Sequence, residues 1–139
     1  MAYFSSDQEV YDTIGKLIRQ LGEDEELAPK FRKANTIIRY TYRDPESVIT
    51  TRLQEGQPSQ VDFGDSEMEP EVEMTMDADV AHRFWLGKVN VTVALARGQI
   101  KAKGPVPKIL KLVPLTKPVY PRYKAMLEAD GKTELANVG

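Results

Sequence analysis

Few side chains in the 139-residue sequence could serve as nucleophiles, general bases or metal ligands. Cysteine is absent, which excludes thiolate catalysis and Cys-ligated metals, and His82 is the only histidine. A catalytic nucleophile needs an adjacent base and a third group that orients that base. His82 lies between Ala81 and Arg83 on a predicted exposed helical turn, where we expect a surface or capping role. The sequence therefore predicts no catalytic residue and no enzyme.

The densest set of potential metal ligands is the alternating series Glu69, Glu71 and Glu73. A metal site needs ligands that converge on one point. Alternate acids on the solvent-facing side of one strand do not converge, so we expect these three to be solvated. The glycines form neither a phosphate-binding loop nor a dinucleotide fingerprint. We therefore predict no metal and no cofactor.

The formal net charge is only −2, but the charges are unevenly distributed. The segment 44–79 is strongly acidic, with Arg52 as its only base. The segment 80–127 contains no acid, and its bases are Arg83, Lys88, Arg97, Lys101, Lys103, Lys108, Lys111, Lys117, Arg122 and Lys124. Two oppositely charged halves can cancel by folding side by side, or the basic half can contact an anionic membrane surface transiently. A nucleic-acid partner is not expected, because the aromatics follow apolar stripes instead of alternating with the bases.

The length and the apolar pattern indicate one domain, 1–139, in the cytoplasm. The first residues lack the basic and apolar regions of a signal peptide, and no apolar run approaches the roughly 20 residues that span a bilayer. The spacing predicts an amphipathic first helix over 5–21, capped by Ser5 or Ser6 and ended by Gly22. Its apolar stripe is Val10, Ile14, Leu17, Ile18 and Leu21.

Four segments with a period of two follow a short segment at Pro29, which is either helical or a loop. They predict strands over 36–42, 48–53, 60–64 and 69–77, the first three joined as a meander. Asp77 or Asp79 is placed to cap a helix over 79–86. The segment 89–96 is ambiguous, since its valines favour a strand and Asn90 favours a helix. A basic strand over 99–103, expected beside the acidic fourth strand, precedes apolar helices over 105–114 and 118–129.

In addition to the order of these elements, the sequence contains a local motif between Met76 and Pro105. The segments Met76-Asp77-Ala78-Asp79-Val80, Phe84-Trp85-Leu86-Gly87-Lys88 and Gly98-Gln99-Ile100-Lys101-Ala102-Lys103-Gly104-Pro105 resemble the sterol carrier protein (type two) family. The resemblance covers about 36–127, and the Gly98–Gly104 strand is its most specific part. It also implies that 90–97 is helical. Without a peroxisomal C-terminal signal or a fused enzyme, the chain resembles a stand-alone bacterial member.

The resemblance implies an α+β fold with a five-stranded, mainly antiparallel sheet covered on one face by about five helices. Between sheet and helices it implies an apolar tunnel for fatty acids, acyl thioesters, phospholipids or sterols. Together with the apolar stripes, it predicts a ligand site formed by Met74, Met76, Phe84, Trp85, Val106, Ile109, Leu110, Val113, Tyr120, Tyr123 and Met126. The expected function is non-catalytic carriage of apolar lipid-like ligands. The alternative is an accessory subunit or scaffold whose tunnel is collapsed and whose apolar residues are plain core.

Overall fold

A computed structural model describes residues 2–138; the predicted domain bounds at Met1 and Gly139 lie outside them. Within 2–138 it contains one five-stranded sheet: β1 (Thr36–Arg43), β2 (Ser47–Leu53), β3 (Gln60–Phe63), β4 (Val72–Asp77) and β5 (Ile100–Lys103). The strand order is β3-β2-β1-β4-β5. Only the β1–β4 pair is parallel, so the predicted mainly antiparallel sheet and its opening meander are confirmed.

The first helical segment is continuous but changes its winding in the middle. It consists of α1 (Asp7–Val10), a π-helical turn (Tyr11–Gly15) and α2 (Lys16–Glu23). Ser6 Oγ caps it by accepting from Glu9 N at 3.2 Å, and the predicted apolar stripe is buried as expected. Gly22 does not end the helix, which continues to Glu23. Asp24 Oδ1 then accepts from Leu27 N at 2.8 Å, so α3 (Leu27–Arg32) begins before Pro29.

Helices α4 (Ala78–Trp85) and α5 (Val91–Ala96) connect β4 to β5. Asp77 occupies the N-cap position of α4, but its side chain makes no capping hydrogen bond and pairs with Arg43 at 3.4 Å. Asn90 Oδ1 accepts from Val93 N at 3.1 Å, which starts α5. The helix implied for 90–97 is confirmed because this cap outweighs the weak strand preference of the valines.

Gly104 explains why the Gly98–Gly104 strand ends as it does. Its φ is +99°, and an added Cβ would lie 2.2 Å from the Glu71 carbonyl oxygen, a separation that no side chain permits. The chain can therefore turn closely past β4 into α6 (Val106–Leu112). Pro114 does not stop the helical path, which continues as a 3₁₀ turn (Val113–Thr116) before α7 (Val119–Ala129). A short α8 (Thr133–Ala136), which the sequence did not predict, follows.

The sheet has one face against the helices and one face toward solvent or a crossing loop. On the outer face, Glu73 pairs with Lys103 in register, which confirms the predicted acidic–basic strand pairing. Arg39 Nη2 donates to the Met68 carbonyl at 2.9 Å, where the chain crosses from β3 to β4. The inner face carries the apolar core positions of every strand, including Ile38, Ile49 and Val72.

Two side-chain placements expected from the sequence are wrong. Leu110 was expected on the buried stripe of α6, but 39% of it is exposed, because the helix turns Ile109 toward the sheet. His82 was expected at the surface, but it is fully buried, because α4 lies between the sheet and α7 and is packed on both sides. The first error moves a candidate ligand contact to the surface, and the second places a polar ring in the core.

Candidate functional site

The interior contains an apolar cavity of about 110 Å³ between the inner face of the sheet and the helices. Strands β1, β2 and β4 supply one wall, and α4 and α6 supply much of the other. The lining residues are Ile18, Leu21, Gly22, Phe31, Tyr40, Tyr42, Thr51, Leu53, Ser59, Val61, Met74, Met76, Ala81, Phe84, Trp85, Val91, Ile100, Ile109, Leu112, Val113 and Thr116. A cavity with such walls can hold an apolar molecule by excluding water from it.

The predicted ligand residues divide into two groups. Those that line the cavity are Met74, Met76, Phe84, Trp85, Ile109 and Val113. Those that lie outside it are Val106, Leu110, Tyr120, Tyr123 and Met126. The two methionines reach the cavity because the alternation of β4 points them inward. Phe84 and Trp85 meet edge to face, with ring centroids 5.0 Å apart.

Each residue of the second group has a different setting. The Tyr123 hydroxyl lies 2.8 Å from His82 Nδ1, in a fully buried part of the core. The Tyr120 hydroxyl lies 2.8 Å from Thr116 Oγ1, and its ring would meet a Cβ at Gly87 at 2.9 Å. Val106 and Met126 are half-buried outside the cavity, and Leu110 is exposed. A direct role of these five in ligand binding stays a prediction.

The sheet contributes cavity residues that were not predicted as ligand contacts, including Tyr40, Tyr42, Thr51 and Val61. Their strand alternation places them on the same face as the predicted methionines. The alternation could therefore have identified them from the sequence. In the β1–β4 register, Tyr40 lies opposite Met74 and Tyr42 lies opposite Met76. Phe31 and Ile18 also line the cavity, but which helical face would reach it could not be deduced from spacing alone.

The electrostatics of the cavity are those of a neutral, desolvated space. Burial raises the pKa of Tyr40 to about 12 and that of Tyr42 well above its ordinary value. Both hydroxyls are therefore protonated at neutral pH. Charged side chains lie outside, for example Glu71, whose carboxylate accepts from Lys108 Nζ at 2.8 Å and from Thr36 Oγ1 at 2.7 Å. The Lys108 and Thr36 hydrogen bonds lower the pKa of Glu71.

The size of the cavity limits what it can hold without movement. An engineered cavity of about 150 Å³ is enough for benzene, so about 110 Å³ accommodates only a fragment of a lipid. A longer ligand requires side chains or helices to move apart. The flexible side chains of Met74 and Met76 are parts of the wall that can adapt.

The described residues offer neither a metal site nor a membrane span. Among residues 2–138, no group of three or more His, Cys, Asp or Glu side chains is placed to hold a metal ion. In the same part of the chain, no helix is both long and apolar enough to cross a membrane.

The fold and the cavity define an α+β protein whose single sheet and covering helices enclose an apolar site. Residues 14–117 match a family model described as the SCP-2 sterol transfer family, and the chain belongs to that family. Membership implies lipid or sterol binding and transfer. A search of curated proteins found no match.

Several solved structures share the fold of this chain. The sterol carrier protein domain 2 of Helicoverpa armigera is 21% identical, with a TM-score of 0.66, and the match covers 88% of this chain and 96% of that one. Sterol Carrier Protein 2 from Yarrowia lipolytica, in its apo form, is 19% identical, with a TM-score of 0.62 and coverages of 82% and 91%. The sec-alkylsulfatase Pisa1 from Pseudomonas sp. is 16% identical, with a TM-score of 0.55; the match covers 63% of this chain and 14% of that enzyme.

Proposed function

We propose that the chain 1–139 is one non-catalytic domain that binds and carries apolar lipid-like molecules in the cytoplasm. The observation that carries the proposal is the cavity whose walls are almost entirely aliphatic, aromatic or thioether side chains. Burial of a ligand there gains roughly 25 cal/mol for each Å² of apolar surface removed from water. A ligand of about 25 heavy atoms at about −0.3 kcal/mol per atom reaches micromolar affinity, which permits both loading and release.

The competing function is a scaffold or accessory subunit whose cavity never opens. It would use Met74, Met76 and the aromatics as plain core, and it would bind no lipid. The cavity is smaller than a whole lipid, so its ability to expand distinguishes a carrier from a scaffold. A carrier must be able to expand the small space between α4, α6 and the sheet, and a scaffold need not.

The test is a titration of delipidated protein with 1-N-phenylnaphthylamine, a neutral dye that fluoresces in apolar sites. Saturable binding, displaced by dodecan-1-ol or cholesterol, is the expected result. Val113→Trp fills the cavity from its wall and should weaken dye binding by about tenfold. Lys111→Trp is the matched control, because Lys111 is exposed on the neighbouring helix and is not among the residues that line the cavity. An absence of saturable binding, or an equal loss in both variants, would favour the scaffold.

The carrier would deliver its ligand at a membrane, and the basic region 80–127 is the proposed contact. Val93 is 42% exposed and Leu110 is 39% exposed, and both lie among the bases of this acid-free segment. Exposed apolar side chains flanked by bases suit an anionic lipid surface. We expect sedimentation with vesicles containing phosphatidylglycerol, loss of sedimentation at high salt, and no sedimentation with phosphatidylcholine vesicles. Equal binding to both vesicle types would exclude this contact.

A further inference from the structure

The walls of the cavity contain no acidic or basic side chain and no histidine among the described residues. An ion transferred into such a space loses its hydration and gains no counter-charge, so it enters only in its neutral form or not at all. The charged groups near α6, such as Lys108, are already engaged at the surface with Glu71 and the Asn35 carbonyl. The cavity interior therefore accommodates only uncharged groups, and the charge of an ionised ligand would have to stay outside it.

Five hydroxyl-bearing side chains interrupt the apolar wall, and two of them are already used. Ser59 Oγ accepts from Arg32 Nε at 3.0 Å. Thr116 Oγ1 donates to the Val113 carbonyl at 2.6 Å and lies 2.8 Å from the Tyr120 hydroxyl. Both hydroxyl groups therefore already have a partner within the protein.

The hydroxyl of Thr51, by contrast, is not engaged within the described part of the protein. This residue lines the cavity from the middle of β2, its exposure is 3%, and its buried Oγ1 has no hydrogen-bond partner among residues 2–138. Nearly all buried hydroxyls in folded proteins are hydrogen-bonded, and one that is not destabilises the structure until a partner is supplied. A valine would fill the same volume without this cost. The unpaired Thr51 hydroxyl is therefore available to a ligand that enters the cavity.

The sheet register places a second free hydroxyl beside Thr51. Thr51 pairs with Ile38 and Tyr40 pairs with Ile49, so Thr51 and Tyr40 are diagonal neighbours on the inner face of adjacent strands. Diagonal neighbours of this kind are about 7–8 Å apart at their backbones, within reach of a tyrosine ring. Tyr40 lines the cavity, is half-buried, and its hydroxyl makes no hydrogen bond to another described residue. Burial raises its pKa to about 12, so the hydroxyl stays protonated and can donate.

We propose that Thr51 and Tyr40 form a polar anchor for the single oxygen of an uncharged lipid, a long-chain alcohol or a neutral carbonyl compound. This rests on the proposed lipid-binding function and deepens it by naming the ligand class. Both anchor hydroxyls can donate to a carbonyl, and either can donate to or accept from a ligand hydroxyl. The apolar remainder of the ligand then occupies the space between the sheet and α4 and α6.

The experiment compares dodecan-1-ol with dodecanoate as competitors of 1-N-phenylnaphthylamine at pH 8, where dodecanoate is ionised. For the wild-type protein, dodecanoate should compete at least about tenfold more weakly, because its charge has no partner inside. Thr51→Val and Tyr40→Phe each remove one anchor hydroxyl without changing the cavity volume greatly. Each should weaken dodecan-1-ol binding by roughly threefold to tenfold, with dye affinity within about twofold of wild type.

Thr41→Val is the matched control, because Thr41 lies between Tyr40 and Tyr42 on β1 and faces the opposite side of the sheet. Its dodecan-1-ol affinity should equal that of the wild type. Thr51→Val should also raise the melting temperature of the unliganded protein, since it removes an unpaired buried hydroxyl. A rise in melting temperature together with weaker alcohol binding separates the anchor from a merely structural role.

The outcomes distinguish the two proposals. If the dye does not bind the wild-type protein, the lipid-binding function fails, and the anchor fails with it. If the dye binds but Thr51→Val and Tyr40→Phe leave dodecan-1-ol affinity unchanged, only the anchor is overturned. If dodecanoate competes as well as dodecan-1-ol at pH 8, the restriction to uncharged ligands is overturned.

Discussion

Helix α4 separates two regions of the interior that differ in how completely they are filled. On one side, His82 packs against Tyr123 in a closed core, and the fully buried Ala78 lies one turn before His82 on the same helix. On the other side, Ala81, Phe84 and Trp85 border the cavity. The same eight-residue helix therefore borders one region that is fully packed and one that contains a cavity.

The polar groups of the two regions differ in the same way. In the closed core, His82 Nε2 lies 2.8 Å from the Leu135 carbonyl, which can only accept, so Nε2 donates. Nδ1 of the neutral ring then accepts from the Tyr123 hydroxyl, and both ring nitrogens are satisfied. In the cavity wall, Thr51 Oγ1 has no such partner. A buried polar group that is satisfied internally indicates structure, and one that is unsatisfied beside a void indicates a ligand.

The largest expected effect comes from one substitution made on both sides of α4. Ala78 is fully buried in the closed core, and Ala78→Leu forces three extra carbons into filled space. Its free energy of unfolding in urea should fall by about 1–3 kcal/mol. Ala81→Leu points the same carbons into the cavity, so its stability should stay within about 1 kcal/mol of the wild type or increase.

The two substitutions should have the reverse effect on ligand binding. Ala81→Leu occupies the cavity and should weaken dye binding, whereas Ala78→Leu, assayed at low temperature where it remains folded, should bind normally. Equal destabilisation by both substitutions would mean that the two sides of α4 are equally full, and the distinction between them would be lost.

A smaller effect is expected when the pH is lowered, and it sharpens the same comparison. Burial lowers the pKa of His82, partly offset by the Leu135 hydrogen bond and nearby Asp79. In the unfolded chain, His82 therefore takes up a proton near pH 6.5, whereas in the folded chain it does so only at a lower pH. Neutral His82 thus contributes fully to the free energy of unfolding above about pH 6.5. This contribution is lost as the pH falls from the pKa of the unfolded chain toward the lower pKa of the folded chain. The free energy of unfolding should decline between pH 7.5 and pH 5.5.

Because His82 is the only histidine, His82→Gln should flatten this decline. Tyr123→Phe removes one hydrogen bond but keeps the buried ring, so it should lower stability at all pH values and retain the decline. A decline of unchanged size in His82→Gln would assign it to other groups.

The sheet was the part of the molecule most open to prediction from sequence. Alternation in β1, β2 and β4 indicated both the strands and their inner faces, since a strand has only two sides. The acidic and basic strands were correctly expected to be neighbours, because Glu73 and Lys103 sit at matching outer positions. Asn90 was visible as a cap, but the adjacent valines left its helix ambiguous until the family resemblance was considered.

The helical side was less open to prediction because helix orientation depends on the neighbours. Spacing identified an apolar stripe on α6 and placed Leu110 on it, but the structure turns Ile109 and Leu112 toward the cavity instead. His82 was misplaced for a related reason. A lone polar residue signals an exposed face only if the helix has one, and α4 is covered on both sides.

The cavity also gives the protein a mechanical property. The volume decrease that accompanies protein unfolding scales with the internal space that unfolding eliminates, and the cavity contributes to that space. Hydrostatic pressure favours whichever state occupies less volume, so compression acts against the empty protein through this void. A ligand that fills the void removes the advantage of unfolding. The loaded and empty forms should thus differ in compressibility as well as in affinity, with the loaded protein the stiffer of the two.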